Sequence, residues 1–402
     1  MTARINIRGL NFKNEQEAME EFARIGSTPP GSKIMASKAL PLALKVSGIG
    51  HVAANILKQE ALARGGDVVT SRDSLLAKEG ATQVIIIGTE NMMKNLAQKI
   101  RLQLFGLKEL ARELDRYLKG LNQETYFTVN HKRYNLDTDY LIMGILNATP
   151  DSFYDGGYYY HPEDAEKRVN QMIDEGADII DIGGMSTRPG SDPVSIDQEI
   201  ERTVPLIKNI RATSDILISI DTYRKEVAEQ AAAAGADIVN DISALSFDRQ
   251  MAGFLGDSGL SVVMMHMKGT PKDMQKNPVY EDVVSEVYAY LDAAAGRAVA
   301  AGIERDKIVV DPGIGFGKTA GHNLAILKKL AEFRYLGYPV LLGASRKSFM
   351  GKTLDLEVEQ RMLPSLAVAA HAYLNGARIF RVHDVEQTRM ALDMVKNIEA
   401  VS

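Results

Sequence analysis

MGILNATPDSFYDGG, residues 143–157, is the stretch that decides the fold, because a short apolar run ends at Asn147 and gives way to a long polar loop. The same order of apolar run, polar residue, loop and helical pattern recurs to the end of the chain. The runs end at Asn147, 183–190, Asp221, Asn240, 265–266, Asp311, 345–347 and 381–383. Eight parallel strands would bring these ends together at one mouth, where active sites of barrels lie.

The apolar runs predict the strand positions directly. We expect strands near 140–146, 178–182, 216–220, 237–240, 261–265, 308–311, 339–342 and 378–381. Residues 139–402 then divide into units of about 33 residues, close to the roughly 30 of a strand-helix-strand unit. The pattern predicts a (β/α)8 TIM barrel. An open doubly wound sheet is the alternative, and only the number of units argues against it.

The region before the barrel mixes helix and strand patterns and is predicted to form a small α/β domain over residues 1–122, followed by the barrel domain over 123–402. Residues 15–25, 51–64 and 105–121 read as helices, and QVIIIG at 83–88 as a buried strand. Residues 122–138 alternate around Asn130-His131 and predict a hairpin that leads into the barrel.

Composition excludes several classes of protein. The chain has 402 residues, more than the roughly 250 of a single barrel. It has no cysteine, which excludes disulfides and thiolate nucleophiles, and a net charge of −5, which argues against nucleic-acid binding. We find no apolar run near the ~20 residues of a membrane span and no signal-peptide core, so we expect a cytoplasmic protein with no membrane partner.

Polar residues at the ends of the runs suggest a ligand. Asp221, Asn240 and Asp311 terminate runs that are otherwise barrel core, and a buried polar group without a partner costs about 1–3 kcal/mol. A flat heterocycle with ring N–H, amino and oxo groups would satisfy two carboxylates and an amide together. A purely structural polar network is the alternative.

Two loops add further candidates. In NATPDSFYDGG, Asn147 offers a neutral oxygen to a metal or a phosphate-bound water, while Asp151 and Asp155 order the loop or face a substrate; turn chemistry alone is the alternative. In STRPG, Arg188 offers a bidentate contact to an anion, and a surface turn is the alternative.

The last three segments suggest an anion site without a metal cage. DPGIGFGKT ends like a phosphate-binding loop, but Pro312 stands where that motif needs glycine, so we reject an ATP cradle and interpret the segment as a close backbone approach walled by Phe316. Lys347, Arg381 and His383 follow the last two strands, where barrels commonly bind phosphate. Any Mg²⁺ would be shared with substrate oxygens.

Taken together, these segments resemble dihydropteroate synthase over residues 139–402. The resemblance rests on MGILNATPDSFYDGG, DIIDIGGMSTRPG, ISIDTYRKEVA, IVNDIS, MMHMKGTP, IVVDPGIGFGK, GASRKSF and RVHDV, in that order. It implies condensation of 6-hydroxymethyl-7,8-dihydropterin diphosphate with p-aminobenzoate, with Mg²⁺ and a homodimer. It implies catalytic roles for Asp221, Asp311, Lys347 and Arg188.

The resemblance also implies the remaining contacts. Asn240 would bind the pterin edge beside Asp221 and Asp311, Ile242 and Met265 its faces, and Lys347 its oxo group. Asn147, Arg381 and His383 would bind the diphosphate with Mg²⁺. The remaining substrate contacts would come from Phe153, Asp155, Thr187, Arg188, Pro189, Gly315, Phe316 and Ser348.

One departure stands out: the family generally carries Glu before STRPG, and this chain has Met185, which removes a charged anchor of the second loop. Residues 1–122 lie outside the core family pattern. Two other functions compete. A corrinoid-linked pterin methyltransferase would not need a diphosphate site, and a non-catalytic pterin-binding protein would not need both loop motifs.

Overall fold

The structure is a computed structural model, and it describes residues 7–76, 80–121, 124–148, 162–185 and 194–401. Within these ranges the chain forms two compact units, one before and one after residue 123. Each unit has its own hydrophobic core. No helix in the described ranges combines the length and apolar character needed to cross a bilayer.

The first unit is a three-stranded antiparallel sheet with helices. The sheet has the order β1-β3-β2, with β1 (Leu42–Gly50), β2 (Asp67–Thr70) and β3 (Ala81–Gly88). The helices are α1 (Glu15–Arg24), α2 (Pro29–Ala36), α3 (His51–Leu62), α4 (Glu90–Ile100) and α5 (Leu107–Leu121). The predicted α/β character and the predicted helices are confirmed.

The prediction that QVIIIG is a buried strand was wrong in its burial. Val84 and Ile86 lie in a core with residues of α3, α4 and α5, whereas Ile85 and Ile87 are 39% and 41% exposed. Side chains alternate between the two faces of a strand, so helices on one face bury only every second residue. β3 is therefore amphipathic despite its three consecutive isoleucines.

A β-hairpin opens the second unit. β4 (Tyr126–Val129) pairs with β5 (Lys132–Asn135) through Asn130 and His131, whose φ angles of 48° and 63° are those of a two-residue hairpin turn. Phe127 packs inside the lower barrel with the apolar residues of its strands. The predicted hairpin is confirmed, and it closes the bottom of the barrel.

The remaining strands close into a parallel barrel in chain order, which confirms the predicted fold and excludes the open sheet. The strands are β6 (Leu141–Asn147), β7 (Ile179–Gly183), β8 (Leu217–Asp221), β9 (Ile238–Asp241), β10 (Ser261–Met265), β11 (Ile308–Asp311), β12 (Val340–Leu342) and β13 (Ala377–Val382). Their runs of Ile, Val and Leu are buried on both faces, as parallel strands require.

Helices follow every barrel strand. They are α6 (Pro162–Asp174), α7 (Ile196–Thr213), α8 (Lys225–Ala234), α9 (Met251–Ser258), α10 (Val283–Ala300), α11 (Ala320–Lys328), α12 (Ser348–Leu354), α13 (Met362–Leu374) and α14 (Val385–Glu399). Outward residues of the strands pack against these helices in one continuous core.

Inward residues form two layers. The lower layer is apolar and consists of Leu141, Met143, Ile179, Leu217, Ile238, Val263, Val309, Leu341 and Ile379. The upper layer is polar and consists of the buried residues Asp181, Asp221, Asn240 and Asp311 together with the partly buried Arg381. Since alternate residues point inward, the polar side chains stand two residues above apolar ones in most strands. The register places Asn147, Gly183, Asp221 and Asn240 side by side at the mouth.

Candidate active site

The upper layer is one connected network. Arg381 donates from Nε to Asp181 Oδ2 at 2.6 Å and from Nη2 to Asp221 Oδ2 at 2.8 Å. Asn240 Nδ2 lies 3.4 and 3.3 Å from the two carboxylate oxygens of Asp181. Side chains from β7, β8, β9 and β13, far apart in the sequence, therefore meet in the barrel interior.

Asp311 and Lys347 join this network from β11 and the loop after β12. A Cβ atom at Gly343 would lie 3.8 Å from Asp311 Oδ2 and 3.7 Å from Arg381 Cβ, so these two side chains flank the same glycine. Lys347 Nζ donates to the carbonyl of Ile314 and lies 4.5 Å from the centre of the Phe316 ring. The structure thus brings Asp221, Asn240, Asp311 and Lys347 into one pocket.

Burial sets the electrostatics of this pocket. It raises the pKa of Asp221 to about 7, against the opposing effect of Arg381, and it raises the pKa of Asp311 against that of Lys347. Burial lowers the pKa of Lys347 to about 8, although Asp311 opposes this. For Arg381 burial also disfavours the charge, but Asp181 and Asp221 outweigh it and raise the pKa.

One acceptor atom in the network has no hydrogen-bond donor among the described residues. Asp221 is 6% exposed, and its Oδ1 has no hydrogen-bond partner among the described residues. A buried carboxylate oxygen without a donor is costly, so it is a place where a ligand N–H fits. The N–H and amino groups of a flat heterocycle are donors of this kind.

An apolar wall stands beside the polar layer. Ile242 and Met265 pack in one cluster with Met267, Met274, Tyr223 and Phe316. Gly315, with φ of 85°, lets the Lys347 stem pass, since an added Cβ would lie 3.0 Å from Lys347 Cδ. A planar ligand that hydrogen-bonds to Asp221 would meet apolar atoms and a cationic group in the same pocket.

The neighbouring strands β6 and β13 carry the predicted anion-binding residues. Asn147 Oδ1 would lie 3.7 Å from a Cβ atom at Gly183, which is equally close to Asp221. His383 Nδ1 is 3.0 Å from Ser345 Oγ. Among the described residues no group of three His, Asp or Glu side chains could hold a metal ion. The donor set therefore fits Mg²⁺ only if most of its ligands are substrate oxygens and water.

The barrel unit of this chain is similar to proteins of known function. The family described as pterin binding enzyme matches residues 143–383. The dihydropteroate synthase of Escherichia coli K12 is 45% identical over 255 residues, 63% of this chain and 90% of that protein. The one from Synechocystis is 46% identical over 246 residues, 61% of this chain and 85% of that protein.

The chain belongs to the dihydropteroate synthase family of pterin-binding enzymes.

A solved structure agrees with this membership. Yersinia pestis dihydropteroate synthase, crystallised with a sulfonamide drug complex, aligns with a TM-score of 0.66 and 39% identity over 69% of this chain and all of that chain. The aligned share matches the barrel unit in size. A dihydropteroate synthase barrel with an additional N-terminal unit accounts for the whole chain.

Six predicted site residues of this dihydropteroate synthase family member remain. Phe153, Asp155, Thr187, Arg188 and Pro189 fall outside the described residues. Ser348 is the first residue of α12, next to Lys347, and is exposed.

Sequence reasoning missed Asp181, the central acceptor of the upper layer. It stands inside DIIDIG, where we assigned an apolar strand, and it is fully buried. The signal was present: Asp181 is two residues before Gly183, so both face the barrel interior once the strand is placed. Buried Lys318 and the methionines Met267 and Met274 were missed as well.

Met185, the departure from the dihydropteroate synthase pattern, is buried. It is 6% exposed, and Tyr223 Oη lies 3.9 Å from its Sδ. Helix α7 holds the same segment, since Arg202 donates to the Gly184 carbonyl at 3.0 Å. A thioether contact with Tyr223 thus occupies the position where the family usually has a carboxylate.

Proposed function

We propose that this protein is a dihydropteroate synthase, a transferase that joins 6-hydroxymethyl-7,8-dihydropterin diphosphate to p-aminobenzoate and releases pyrophosphate in folate biosynthesis. The observation that carries the proposal is the unpartnered buried oxygen of Asp221 inside the network of Arg381, Asp181 and Asn240. Structures of the Xanthomonas albilineans enzyme with 4-aminobenzoic acid and with 7,8-dihydropteroate support the same substrates.

The pterin would occupy the upper layer. Its N–H and amino groups would donate to Asp221, Asn240 and Asp311, and its oxo group would accept from Lys347. Its faces would pack against Ile242 and Met265. When the carbon-oxygen bond to the diphosphate breaks, its electron pair leaves with pyrophosphate and positive charge spreads into the pterin. Carboxylates in a buried site stabilise that charge strongly because they are already in place.

The diphosphate would lie toward Asn147, Arg381 and His383. The guanidinium group of Arg381 is already held between Asp181 and Asp221, so it is oriented before any substrate arrives. Asn147 would be the protein ligand of Mg²⁺, which when bound supplies positive charge to the departing pyrophosphate.

The p-aminobenzoate would lie against Phe316, with Ser348, Gly315, Phe153, Asp155, Thr187, Arg188 and Pro189 as the other proposed contacts. Its amine lone pair forms the new carbon-nitrogen bond, and the nitrogen then loses a proton. Arg188 is proposed to bind the carboxylate, because guanidinium and carboxylate groups pair through two hydrogen bonds.

We also propose that the protein is a cytoplasmic homodimer, with residues 1–122 as a separate domain of unassigned role and 123–402 as the catalytic domain. Support for the dimer comes from α14, where Met390, Met394 and Ile398 are 67%, 62% and 58% exposed at a four-residue spacing. This spacing aligns them in an apolar stripe, and such stripes on a surface mark interaction sites.

The test is a two-substrate assay with Mg²⁺. We expect pyrophosphate release only when both substrates are present. Lys347→Ala and Asp221→Ala should weaken pterin binding, measured by calorimetry, whereas Arg188→Ala should mainly raise the KM for p-aminobenzoate. Pterin binding without pyrophosphate release would support a non-catalytic protein instead, and methyl transfer dependent on a corrinoid would support a methyltransferase.

A further inference from the structure

Lys318 is a buried lysine to which the proposed mechanism gives no part. It is 2% exposed, and its Nζ lies 2.9 Å from the Gly313 carbonyl, 3.0 Å from that of Phe316 and 2.9 Å from His266 Nδ1. Burial lowers its pKa well below the usual value, while Asp311 opposes this. An ammonium group has three donors, which matches these three acceptors.

The loop that Lys318 holds depends on side-chain donors for its shape. All five carbonyls of residues 313–317 accept from side chains: Lys318 takes the first and fourth, Lys347 the second, Gln275 the third at 2.6 Å and Tyr280 the fifth at 2.8 Å. Backbone carbonyls in regular elements are satisfied by backbone N–H groups instead. The amides of Gly313, Gly315 and Phe316 add bonds to Asp311 Oδ1, Asn323 Oδ1 and the Gly313 carbonyl, so losing one side-chain donor would loosen its own part of the loop and not the whole loop.

His266 anchors Lys318 to the end of β10. Burial and Lys318 lower the pKa of His266 to about 2, so the ring is neutral. Because Nδ1 faces the Lys318 amino group at 2.9 Å, we assign Nδ1 as the acceptor and the ring proton to Nε2. The loop is pressed against the same strand end, because a Cβ atom at Gly313, with φ of 68°, would lie 1.9 Å from the His266 carbonyl. Lys318 therefore joins the residue after Met265 to the loop that carries Phe316.

We infer that Lys318 is a positioning residue that fixes loop 313–317 against His266 and thereby sets the place of Phe316 in the p-aminobenzoate pocket. The inference rests on the proposed function, since it uses Phe316 as a wall of that pocket. Lys318 touches no substrate in this arrangement. Its effect reaches the reaction through the backbone of Phe316, whose carbonyl Lys318 holds.

The experiment compares Lys318→Met with Lys328→Met, a lysine on α11 that is exposed. Lys318→Met should raise the KM for p-aminobenzoate about tenfold or more, as small misplacements of substrate-positioning groups do, while the KM for the pterin diphosphate changes less than about threefold. Hydrogen exchange of the amides in 311–319 should be faster in Lys318→Met alone. An equal rise of both KM values, or unchanged exchange, would overturn the inference.

A second pair of variants covers a failure of Lys318→Met to fold. His266→Asn keeps an acceptor near the position of Nδ1, whereas His266→Phe removes it, so faster loop exchange is expected in the phenylalanine variant and less in the asparagine variant. The same exchange in both would count against the inference. If wild-type protein makes no dihydropteroate, the proposed function fails, but the exchange measurements still decide whether Lys318 holds the loop.

Discussion

The lower and upper layers of the barrel interior are built on the same strands and filled in opposite ways. The lower layer is wholly apolar, and Phe127 of the hairpin packs into it. Two residues further along β7 and β13, and four further along β8, the inward positions are Asp181, Arg381 and Asp221, joined by ion pairs. The backbone hydrogen bonds of the strands are the same in both layers, so the layers differ in the free energy of burying their side chains.

This contrast separates stability from function within one barrel. Burying apolar surface stabilises the fold by about 25 cal/mol per Å². Burying ion pairs seldom stabilises a fold relative to apolar residues, because desolvation offsets the attraction. The upper layer is therefore expected to lower the stability of the fold and to serve ligand binding. Substitutions in the lower layer should change stability, and substitutions in the upper layer should change activity as well.

The largest effect is expected from Arg381→Met in the upper layer. Removing the guanidinium leaves Asp181 and Asp221 buried without a cation, which should destabilise the protein by about 3–5 kcal/mol and lower kcat by about 10²–10³-fold. Denaturant unfolding measures the loss of stability, and steady-state kinetics measure the loss of kcat. The double variant Arg381→Met/Asp181→Asn should recover part of the stability but none of the activity; recovery of both would contradict this picture.

In the lower layer, Ile179→Ala should affect stability alone. Ile179 is fully buried, so a cavity and lost burial should cost about 2–5 kcal/mol. The kcat of the folded enzyme should stay within about twofold, because no reacting group moves. Val299→Ala, on the exposed side of α10, is the matched control and should change neither quantity. A large fall in kcat with little destabilisation would break the separation of the layers.

Asp221→Asn should make the protein inactive but more stable. Burial raises the pKa of Asp221 to about 7, above the roughly 3.9 of an unfolded Asp. Between these values the folded state binds the extra proton, so stability falls as pH rises and the penalty is complete above pH 7. The gain from Asn should therefore be largest near pH 8 and vanish near pH 4. A constant gain across that range would mean that the carboxylate charge is not its cause.

The smallest effect is expected in the hairpin that closes the lower layer. His131 is exposed and has a φ of 63°, a conformation that costs side chains other than glycine about 1 kcal/mol. His131→Gly creates an Asn-Gly turn and should stabilise by roughly that amount without changing kinetics. Lys132→Gly, one residue further into β5, should instead destabilise.

The sequence predicted the barrel well because each strand is a buried apolar run ended by a polar residue. Asp221, Asn240 and Asp311 were found as run ends, and the structure brings them into one pocket. Asp181 was hidden because it lies inside a run, and only the register shows that it faces Arg381. In the first unit β1 and β2 were not predicted, since lysine, serine and glycines interrupt the apolar residues of LALKVSGIG and DVVT is only four residues long.

Lys318 is a second residue whose role could not be predicted from the sequence, for a different reason. Its neighbours in GFGKT suggested a nucleotide loop, and rejecting that motif left the lysine without an assignment. Its three acceptors belong to Gly313, Phe316 and His266, the last of them 52 positions earlier in the chain, so no local sequence pattern indicates them. Burial of a long cationic side chain against carbonyls is a property of the assembled loops.

The hairpin closes the bottom of the barrel, so ligands reach the upper layer from the mouth at the carboxyl ends of the strands. If a ligand bound by Asp221, Asn240 and Asp311 lies below a ligand that packs on Phe316, the lower ligand has to bind first. A large excess of the upper ligand would then inhibit the reaction, because it would occupy the mouth before the lower ligand has bound.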